Sequence, residues 1–386
     1  MATIEKYETK SGATLYRVRY RKPDGRQTDK RGFTTKRDAA AYAATVETSK
    51  LRGEYVAPSV GRVTVGELGQ AWLARQAATM RPSGYRSYDS LYRTHVAPRW
   101  AHIAVADIRH TDAQAWVATL DRSAATVRTT YTVLSMILTD AVRDRLLASN
   151  PAAGVKLPAK IKRRKAYLTA TQLDHLADES GEYRSLVLLL GLCGLRWGEA
   201  AALRVGDIDF LRRRAHLHEN AVAVGSAVVV GPLKTHEDRT VALPTVVVDA
   251  LAVTAAGKGR DDLLWPAPSG GYSRPPSSPT TWLAYAVRRC MAADPTFPRI
   301  TAHSLRHTAA SLAISAGAHV KVVQRMLGHA SAAMTLDTYA DLFDADLDAV
   351  AENVGTMWAR AVDSQQRLMP KPPLSAPMRV GAVGIW

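Results

Sequence analysis

Two short breaks divide this chain, and they limit how it can fold. Residues 57–61 read Ala-Pro-Ser-Val-Gly, a linker composition, and six of the ten residues at 156–165 are lysine or arginine. A chain of 386 residues is long enough for two or three domains, each with its own core. The breaks predict an N-terminal domain, a linker, a helical domain, a basic linker, a mixed domain and a flexible tail, at 1–56, 57–62, 63–155, 156–165, 166–360 and 361–386.

The first domain is predicted to be a small three-stranded sheet with one helix. Residues 15–21 alternate apolar and basic side chains, which is the pattern of a strand with one charged face. Pro23-Asp24-Gly25 predicts a turn, because proline presets φ and glycine accepts a positive φ. A further strand is expected at 27–33, and the alanine-rich residues 39–50 predict the helix.

The second domain is predicted to be all-helical. We expect helices that begin at Thr64 and at Pro82, a third over 111–120, and a long fourth over 124–147 that ends before Asn150-Pro151. Tyrosines spaced three and four apart in the second helix favour core packing over base stacking.

The third domain is predicted to mix α and β structure, so the fold class is multidomain: an α+β domain preceded by an all-helical domain and a small β-β-β-α domain. Helices are expected from Thr169, over 183–192, beyond Pro279, and after Tyr339 to about Arg360, where the helix is acidic and suits protein contact better than DNA. Strands are expected at 215–218, 228–230 and 240–243, with Lys234 in the last turn.

The positive charge of the chain is confined to its first part. The formal net charge is +16; residues 1–62 hold 14 basic against 7 acidic residues, residues 63–165 hold 16 against 7, and the remainder holds 21 of each. A basic excess of this kind indicates a polyanionic partner. We expect the front part to grip DNA and the back part to bind its phosphate with a few placed groups.

Other composition features narrow the protein class. The two cysteines, Cys193 and Cys290, do not suggest a disulfide framework, so an intracellular, reducing compartment is expected. The sequence has no apolar run of about 18 residues, which argues against a membrane span. The first residues lack the apolar core of a signal peptide.

Six spaced side chains in the third domain suggest phosphodiester chemistry. Arginine offers paired N–H donors that match two phosphate oxygens. Lysine can protonate a leaving alkoxide, and tyrosine can form a covalent phosphoryl intermediate. The candidate catalytic residues are Arg196, Lys234, His303, Arg306, His329 and Tyr339.

Each of these residues alone has a simpler explanation, such as a helix cap or a core tyrosine. His303 and His307 also have the spacing of zinc ligands, but a tetrahedral site needs further ligands, and the chain has no HExxH motif and no CxxC pair. The ordered set is therefore more informative than its members. It resembles the catalytic constellation of tyrosine recombinases, the family of temperate-phage integrases and chromosome-dimer resolvases.

The resemblance implies a role for each residue. Tyr339 would attack the scissile phosphate and form a 3′-phosphotyrosine, and Lys234 would protonate the departing 5′-oxygen. His303 would assist proton transfer at the tyrosine. Arg196 and Arg306 would clamp the phosphate and His329 would bind one of its oxygens, while Glu199 would orient Arg196 and His307 would be structural. No cofactor is implied, because the phosphotyrosine conserves the bond energy.

The resemblance also implies partners. The first two domains resemble the arm-site and core-site DNA-binding domains of phage integrases, so we expect contact with double-stranded DNA of both types. The expected DNA-binding residues are Arg17, Arg19, Arg21, Lys160, Lys162, Arg163, Arg164 and Lys165. A homotetramer on DNA, a host DNA-bending protein and an excision directionality factor are also expected, in the nucleoid of a bacterial host.

Three other functions remain open at this point. A resolvase or transposon recombinase of the same family would share the chemistry, although the N-terminal basic module favours an integrase. A type IB topoisomerase-like enzyme would relax DNA as a monomer. A non-catalytic DNA-binding regulator on the same frame is the third, and the complete six-residue set argues against it.

Overall fold

The structure is a computed structural model, and it describes residues 2–22, 25–51, 62–160, 165–233, 238–344 and 347–368. Contacts within the chain divide it into two compact units. One is Met1–Arg163 with Val224–Ala227, and the other is Arg164–Ala223 with Val228–Trp386. The main division therefore falls inside the basic segment 156–165.

The N-terminal part of the first unit is an antiparallel sheet followed by a helix. Strands β1 (Thr3–Glu8), β2 (Thr14–Arg21) and β3 (Gln27–Phe33) pair in that order, and α1 (Lys36–Leu51) follows. Val18 and Tyr20 of β2 are buried with residues of α1, because alternate side chains of a strand point to one face. The elements agree with the predicted β-β-β-α pattern.

The rest of the first unit is helical around a core rich in tryptophan. Its elements are α2 (Val65–Thr79), α3 (Pro82–Leu91), a π-helical turn (Tyr92–Val96), α4 (Ala97–Trp100), α5 (His110–Thr119) and α6 (Ala124–Arg143). Trp72 and Trp100 are fully buried. Tyr92 is buried beside them, and Tyr88 stacks on Trp72 with ring centroids 5.8 Å apart. The tyrosines spaced three and four apart therefore pack in the core, as predicted.

Helix α6 is shorter than the sequence predicted. It ends at Arg143 rather than at Leu147. Arg145 has a φ of +58°, which lies in the left-handed region, and the backbone N–H groups of Leu146 and Leu147 both turn back to the carbonyl of Ala141. Apolar periodicity continued past the end of the helix because Leu146 and Leu147 pack against the same core.

The second unit mixes helices with two small sheets. Strands β4 (Ile208–Asp209), β5 (Arg214–Leu217) and β8 (Arg239–Ala242) form one sheet, and β6 (Glu219–Val224) and β7 (Ala227–Pro232) form the other. The helices are α7 (Ala170–Glu179), α8 (Arg184–Cys193), α9 (Trp197–Ala202), α10 (Thr245–Ala255), α11 (Trp282–Ala293), α12 (Ala302–Ser315), α13 (Val320–Leu327), α14 (Ala332–Asp344) and α15 (Leu347–Leu368). Within the described residues, no helix has both the length and the apolarity needed to cross a membrane.

Helix α8 lies at the centre of this unit. Eight of its ten residues are buried, which explains why its sequence is apolar on every side. It ends at Gly194, whose φ of +69° suits glycine. Helix α15 is longer than predicted: it reaches Leu368 rather than Arg360, because the first proline after Arg360 is Pro370. The predicted tail therefore begins in helix, and residues 369–386 lie outside the described part.

Candidate active site

Four backbone features bring the predicted catalytic residues together. Arg196 precedes α9, directly after the left-handed turn at Gly194. Helix α12 carries the two histidines and the arginine of the segment His303–His307. His329 follows the end of α13 at Gly328, whose φ is +62°, and Tyr339 lies in α14. Helices α8 and α13 thus each end at a glycine in the left-handed conformation, directly before a predicted catalytic segment.

Arg196 is held by the buried carboxylate of Glu199. The backbone N–H of Arg196 donates to Oε2 at 2.9 Å, and its guanidinium donates to Oε1 at 2.7 Å. The guanidinium also donates to the carbonyl oxygen of Gly328 at 3.1 Å. The predicted orienting role of Glu199 is consistent with these contacts.

Arg306 is buried, and its guanidinium bridges two loops. It donates to the carbonyl oxygens of Gly194 and Leu327, each at 2.6 Å. Burial, and then the charge of Arg196, lowers the pKa of Arg306 to about 10, so the side chain stays protonated at neutral pH. The two arginines therefore bind consecutive carbonyls, Leu327 and Gly328, just before His329.

His307, rather than His303, contacts the tyrosine. Nδ1 of His307 lies 2.8 Å from the hydroxyl oxygen of Tyr339. The rings of His303 and His307 meet edge to face with centroids 4.8 Å apart. Burial lowers the pKa of both histidines, that of His307 to about 4, so both are neutral at pH 7. The sequence predicts a structural role for His307, but in the structure His307 is the histidine that contacts the Tyr339 hydroxyl.

Tyr339 is enclosed within the unit. Its side chain is 1% exposed and packs with Ile314, Val323 and Leu327. Its φ of −131° and ψ of 18° interrupt the helical path of α14. Burial raises the pKa of Tyr339 to about 12, so the phenol keeps its proton at neutral pH.

Lys165 touches the tyrosine segment directly. Its ammonium lies 5.1 Å from the ring centroid of Tyr339 and donates to the carbonyl oxygen of Thr338. The sequence predicts that Lys165 binds DNA. In the structure the last residue of the basic linker is a neighbour of the candidate nucleophile.

His329 has a partner that the sequence did not indicate. Its Nδ1 lies 3.0 Å from Oγ1 of Thr335, a fully buried threonine in α14. Burial, followed by the charges of Arg306 and Arg196, lowers the pKa of His329 to about 4. Thr335 fixes the ring of a neutral histidine, which suits a hydrogen bond to a phosphate oxygen.

Arg239 is the main site residue that sequence reasoning missed. It donates two hydrogen bonds to the Glu199 carboxylate, at 2.9 Å and 2.7 Å, and its side chain is 14% exposed. The sequence held a signal for this role, because Arg239 lies two residues before the buried Val241 and therefore on the same face of strand β8. An arginine on the inward face of a strand needs a buried acidic partner.

Several predicted residues lie outside the described part of the chain or have other partners. The outside residues are Lys234, Lys162, Arg163 and Arg164. Arg17 and Arg19 of β2 both pair with Glu5 of β1, at 2.6 Å and 3.1 Å. Arg21 and Lys160 are exposed. The charged strand face was predicted correctly, but part of its charge is neutralised within the sheet.

Within the described residues, no group of three or more histidine, cysteine or acidic side chains is arranged to hold a metal ion. Cys193 and Cys290 are both buried and unpaired as disulfides. Burial raises the pKa of the Cys193 thiol to about 12 and that of Cys290 to about 11, so both are poor nucleophiles.

A substitution at Gly198 is expected to disturb the site through packing. A Cβ there would lie 2.2 Å from the side-chain oxygen of Asn220 and 2.6 Å from the carbonyl of Ala221. We expect Gly198→Ala to destabilise the fold by about 1–3 kcal/mol, as overpacking does. Urea unfolding measures this, with Gly231→Ala as control because a Cβ at Gly231 meets nothing within 4 Å. Equal midpoints for the two variants would contradict the packing account.

The depressed histidine pKa values predict a loss of stability in acid. His307 and His329 have folded pKa values of about 4, below the unfolded value of about 6.5. Between these values the unfolded chain binds more protons, so stability is present above about pH 6.5 and is lost as the pH falls toward 4. Urea midpoints measured from pH 7.5 to 4.5 should fall, and more steeply in the wild type than in a His307→Asn/His329→Asn variant. Parallel slopes would mean that other groups control the acid transition.

Comparison with known proteins shows that this chain is similar to phage integrases. Residues 166–346 match the phage integrase family. The integrase of Mycobacterium phage L5 is 29% identical over 303 residues, which cover 75% of this chain and 78% of the phage protein. The putative prophage phiRv2 integrase of Mycobacterium tuberculosis is 25% identical over 335 residues, covering 83% of this chain and 87% of the relative.

Solved structures show the same fold. The Tn1549 transposon integrase in complex with a circular intermediate DNA has a TM-score of 0.64 at 19% identity, covering 74% of this chain and 99% of that one. A lambda integrase dimer bound to a COC′ core site has a TM-score of 0.54 at 17% identity, covering 88% and 94%.

Residues 166–346 form a domain of the phage integrase family, the tyrosine recombinases, which break and rejoin DNA. The family predicted from the ordered motifs is confirmed.

Proposed function

We propose that this protein is a site-specific integrase of a phage or integrative element, with Tyr339 as its nucleophile. One observation supports this most strongly. His307 contacts the Tyr339 hydroxyl. Arg306, the preceding residue on α12, donates to the carbonyl of Leu327, which comes two residues before His329 in the chain. A nucleophile, a proton acceptor and phosphate-binding groups from separate segments thus meet in one place.

In the proposed reaction the Tyr339 oxygen attacks the scissile phosphorus and the bond to the 5′-oxygen breaks. Lys234 supplies the proton that the departing 5′-oxygen needs, leaving a free 5′-hydroxyl and a 3′-phosphotyrosyl bond. Arg196 and Arg306 offset the charge that develops on the non-bridging oxygens. The 5′-hydroxyl of a partner strand then reverses the steps, so the number of phosphodiester bonds is conserved.

The phenol proton must leave before or during the attack, because the Tyr339 pKa of about 12 keeps it on at neutral pH. Nδ1 of His307 lies 2.8 Å from the phenol oxygen, within hydrogen-bond distance, and His307 is neutral at pH 7. We therefore assign proton acceptance to His307. His303, whose ring contacts that of His307, supports it from the side.

Recombination of two duplexes cuts four strands, so four active sites and a homotetramer on DNA are proposed. A lambda integrase structure contains a tetramer bound to a Holliday junction, which supports the same assembly here. We propose core-type DNA contacts for residues 63–155 and arm-type contacts for the N-terminal sheet. A host DNA-bending protein, a directionality factor and a place in the bacterial nucleoid complete the proposal.

The alternative of a transposon or resolvase-type recombinase is weaker. Transposase A of transposon Tn554 from Staphylococcus aureus is 30% identical over 199 residues, which cover 50% of this chain. The phage L5 and prophage phiRv2 integrases align over 75% and 83% of it. The longer alignments favour the integrase.

A covalent-trapping assay tests the proposal. A duplex core site carrying a nick beside the cleavage position loses its short 5′-hydroxyl fragment, so the covalent intermediate cannot be resealed. Wild-type protein should give a denaturation-resistant protein–DNA species, in the presence of EDTA as well as without it. A protein that binds this DNA without forming the species would be a non-catalytic regulator.

Lys234 is expected to act as the general acid. Lys234→Ala should slow cleavage by about 10²–10⁴-fold, the usual effect of losing a general acid. A substrate with sulfur at the bridging 5′ position has a better leaving group and should restore most of the rate. Single-turnover cleavage of both substrates decides the assignment. If the sulfur substrate leaves the gap between variant and wild type unchanged, a histidine of the site must be the acid.

A further inference from the structure

The buried carboxylate of Glu199 pairs with two arginines, one of which is not among the predicted catalytic residues. The carboxylate is 2% exposed and accepts hydrogen bonds from Arg196 and from both terminal nitrogens of Arg239. Bidentate pairs of this kind fix geometry as well as charge. Two guanidinium groups on one buried carboxylate leave a net positive cluster within the site.

Arg239 also packs against the loop that presents His329. A Cβ built on Gly328 would lie 2.9 Å from the central guanidinium carbon of Arg239, so the guanidinium covers the α-carbon of this glycine. Arg196 donates to the carbonyl oxygen of the same glycine. Arg239 thus touches Glu199 on one side and Gly328 on the other.

We propose that Arg239 is a positioning residue for the cleavage reaction, holding Glu199 and the Gly328 turn so that Arg196 and His329 face one phosphate. The proposal rests on the proposed function, since it concerns the same reaction. Arg239 acts through Glu199 and does not itself touch the reacting atoms. The Nε atom of Arg239 is buried and has no hydrogen-bond partner among the described residues. It therefore takes no part in the proposed mechanism.

Electrostatics support the geometry. Burial raises the pKa of Glu199, but the hydrogen bonds and charge of Arg239, together with those of Arg196, outweigh burial and keep the net pKa below its ordinary value. Loss of Arg239 should therefore make Glu199 easier to protonate. A protonated Glu199 holds Arg196 less firmly, so cleavage should fail at a higher pH than in the wild type.

The test uses Arg239→Met, which keeps much of the side-chain length and removes the charge. We expect a loss of about 10²-fold in the single-turnover cleavage rate at saturating DNA, the size expected of a misplaced catalytic group. DNA affinity should change little, and the acid limb of the pH–rate profile should move to higher pH. Arg239→Lys should recover part of the rate, because lysine restores the charge but not the paired donors.

A double-mutant cycle with Glu199→Gln separates positioning from direct contact. If Arg239 acts through Glu199, the double variant should be little slower than the worse single variant. Additive losses would overturn the proposal, since Arg239 would then act independently of Glu199. The matched control is Arg214→Met, an exposed arginine on strand β5 of the same sheet.

The outcomes distinguish the two proposals. Absence of a covalent species from the wild type on the nicked substrate would reject the proposed function. A wild-type species together with Arg239→Met and Arg214→Met rates that agree would reject only the role of Arg239. An unshifted acid limb in Arg239→Met would also reject it, because the link to Glu199 would be missing.

Discussion

Tyr339→Phe should bind DNA and form no covalent protein–DNA species at all. The change removes one oxygen, which is the proposed nucleophile and the partner of His307. The ring stays in its buried position with Ile314 and Leu327, so folding should be nearly intact. Denaturing gels of the nicked-substrate reaction measure the covalent species, and gel-shift titration measures binding.

Tyr285→Phe is the matched control for this variant. Tyr285 is 47% exposed on α11, and its ring lies against Arg288 with the guanidinium 4.3 Å from the centroid. It should form the covalent species at the wild-type rate. A covalent species from Tyr339→Phe would remove Tyr339 as nucleophile, and Tyr285 would be the next residue to examine.

Arg306→Lys should lower the cleavage rate by about 10²–10³-fold, the cost of removing one donor that stabilises an oxyanion. Lysine keeps a positive charge but lacks the rigid fork that reaches the carbonyls of Gly194 and Leu327 together. A buried carbonyl left without a donor costs about 1–3 kcal/mol, so the variant should also unfold at a lower urea concentration.

Cleavage and urea unfolding of Arg306→Lys should be compared with those of Arg184→Ala. Arg184 pairs with Asp174 and Asp178 on the surface, and such ion pairs contribute about 0–1 kcal/mol. The control should therefore match the wild type in both measurements. A near-normal cleavage rate in Arg306→Lys would show that charge alone is enough, and the paired-donor role of Arg306 would be wrong.

Local features of the site were predictable because short-range chemistry determines them. Gly194 and Gly328 end helices in the left-handed conformation, which glycine tolerates best. Thr169 caps α7 together with Gln172, and the helix begins where the sequence predicted. The order of the motifs then identified the family without any contact being known.

Contacts between distant segments could not be predicted in the same way. Arg239 reaches Glu199 across 40 residues, and His307 reaches Tyr339 across 32. No periodicity or capping rule carries such information, because tertiary packing decides which buried groups meet. The sequence therefore placed His303 at the tyrosine, although the structure puts His307 there.

The central claim is that Tyr339 becomes bonded to DNA, and mapping the modified residue tests it most directly. Trypsin cuts after Arg325 and Arg360, so residues 326–360 form one peptide, and Tyr339 is its only tyrosine. The wild-type covalent species, digested with nuclease and trypsin, should give this peptide with a nucleotide attached through phosphate to Tyr339. A nucleotide on any other residue, or a covalent species from which this peptide is recovered unmodified, would contradict the account.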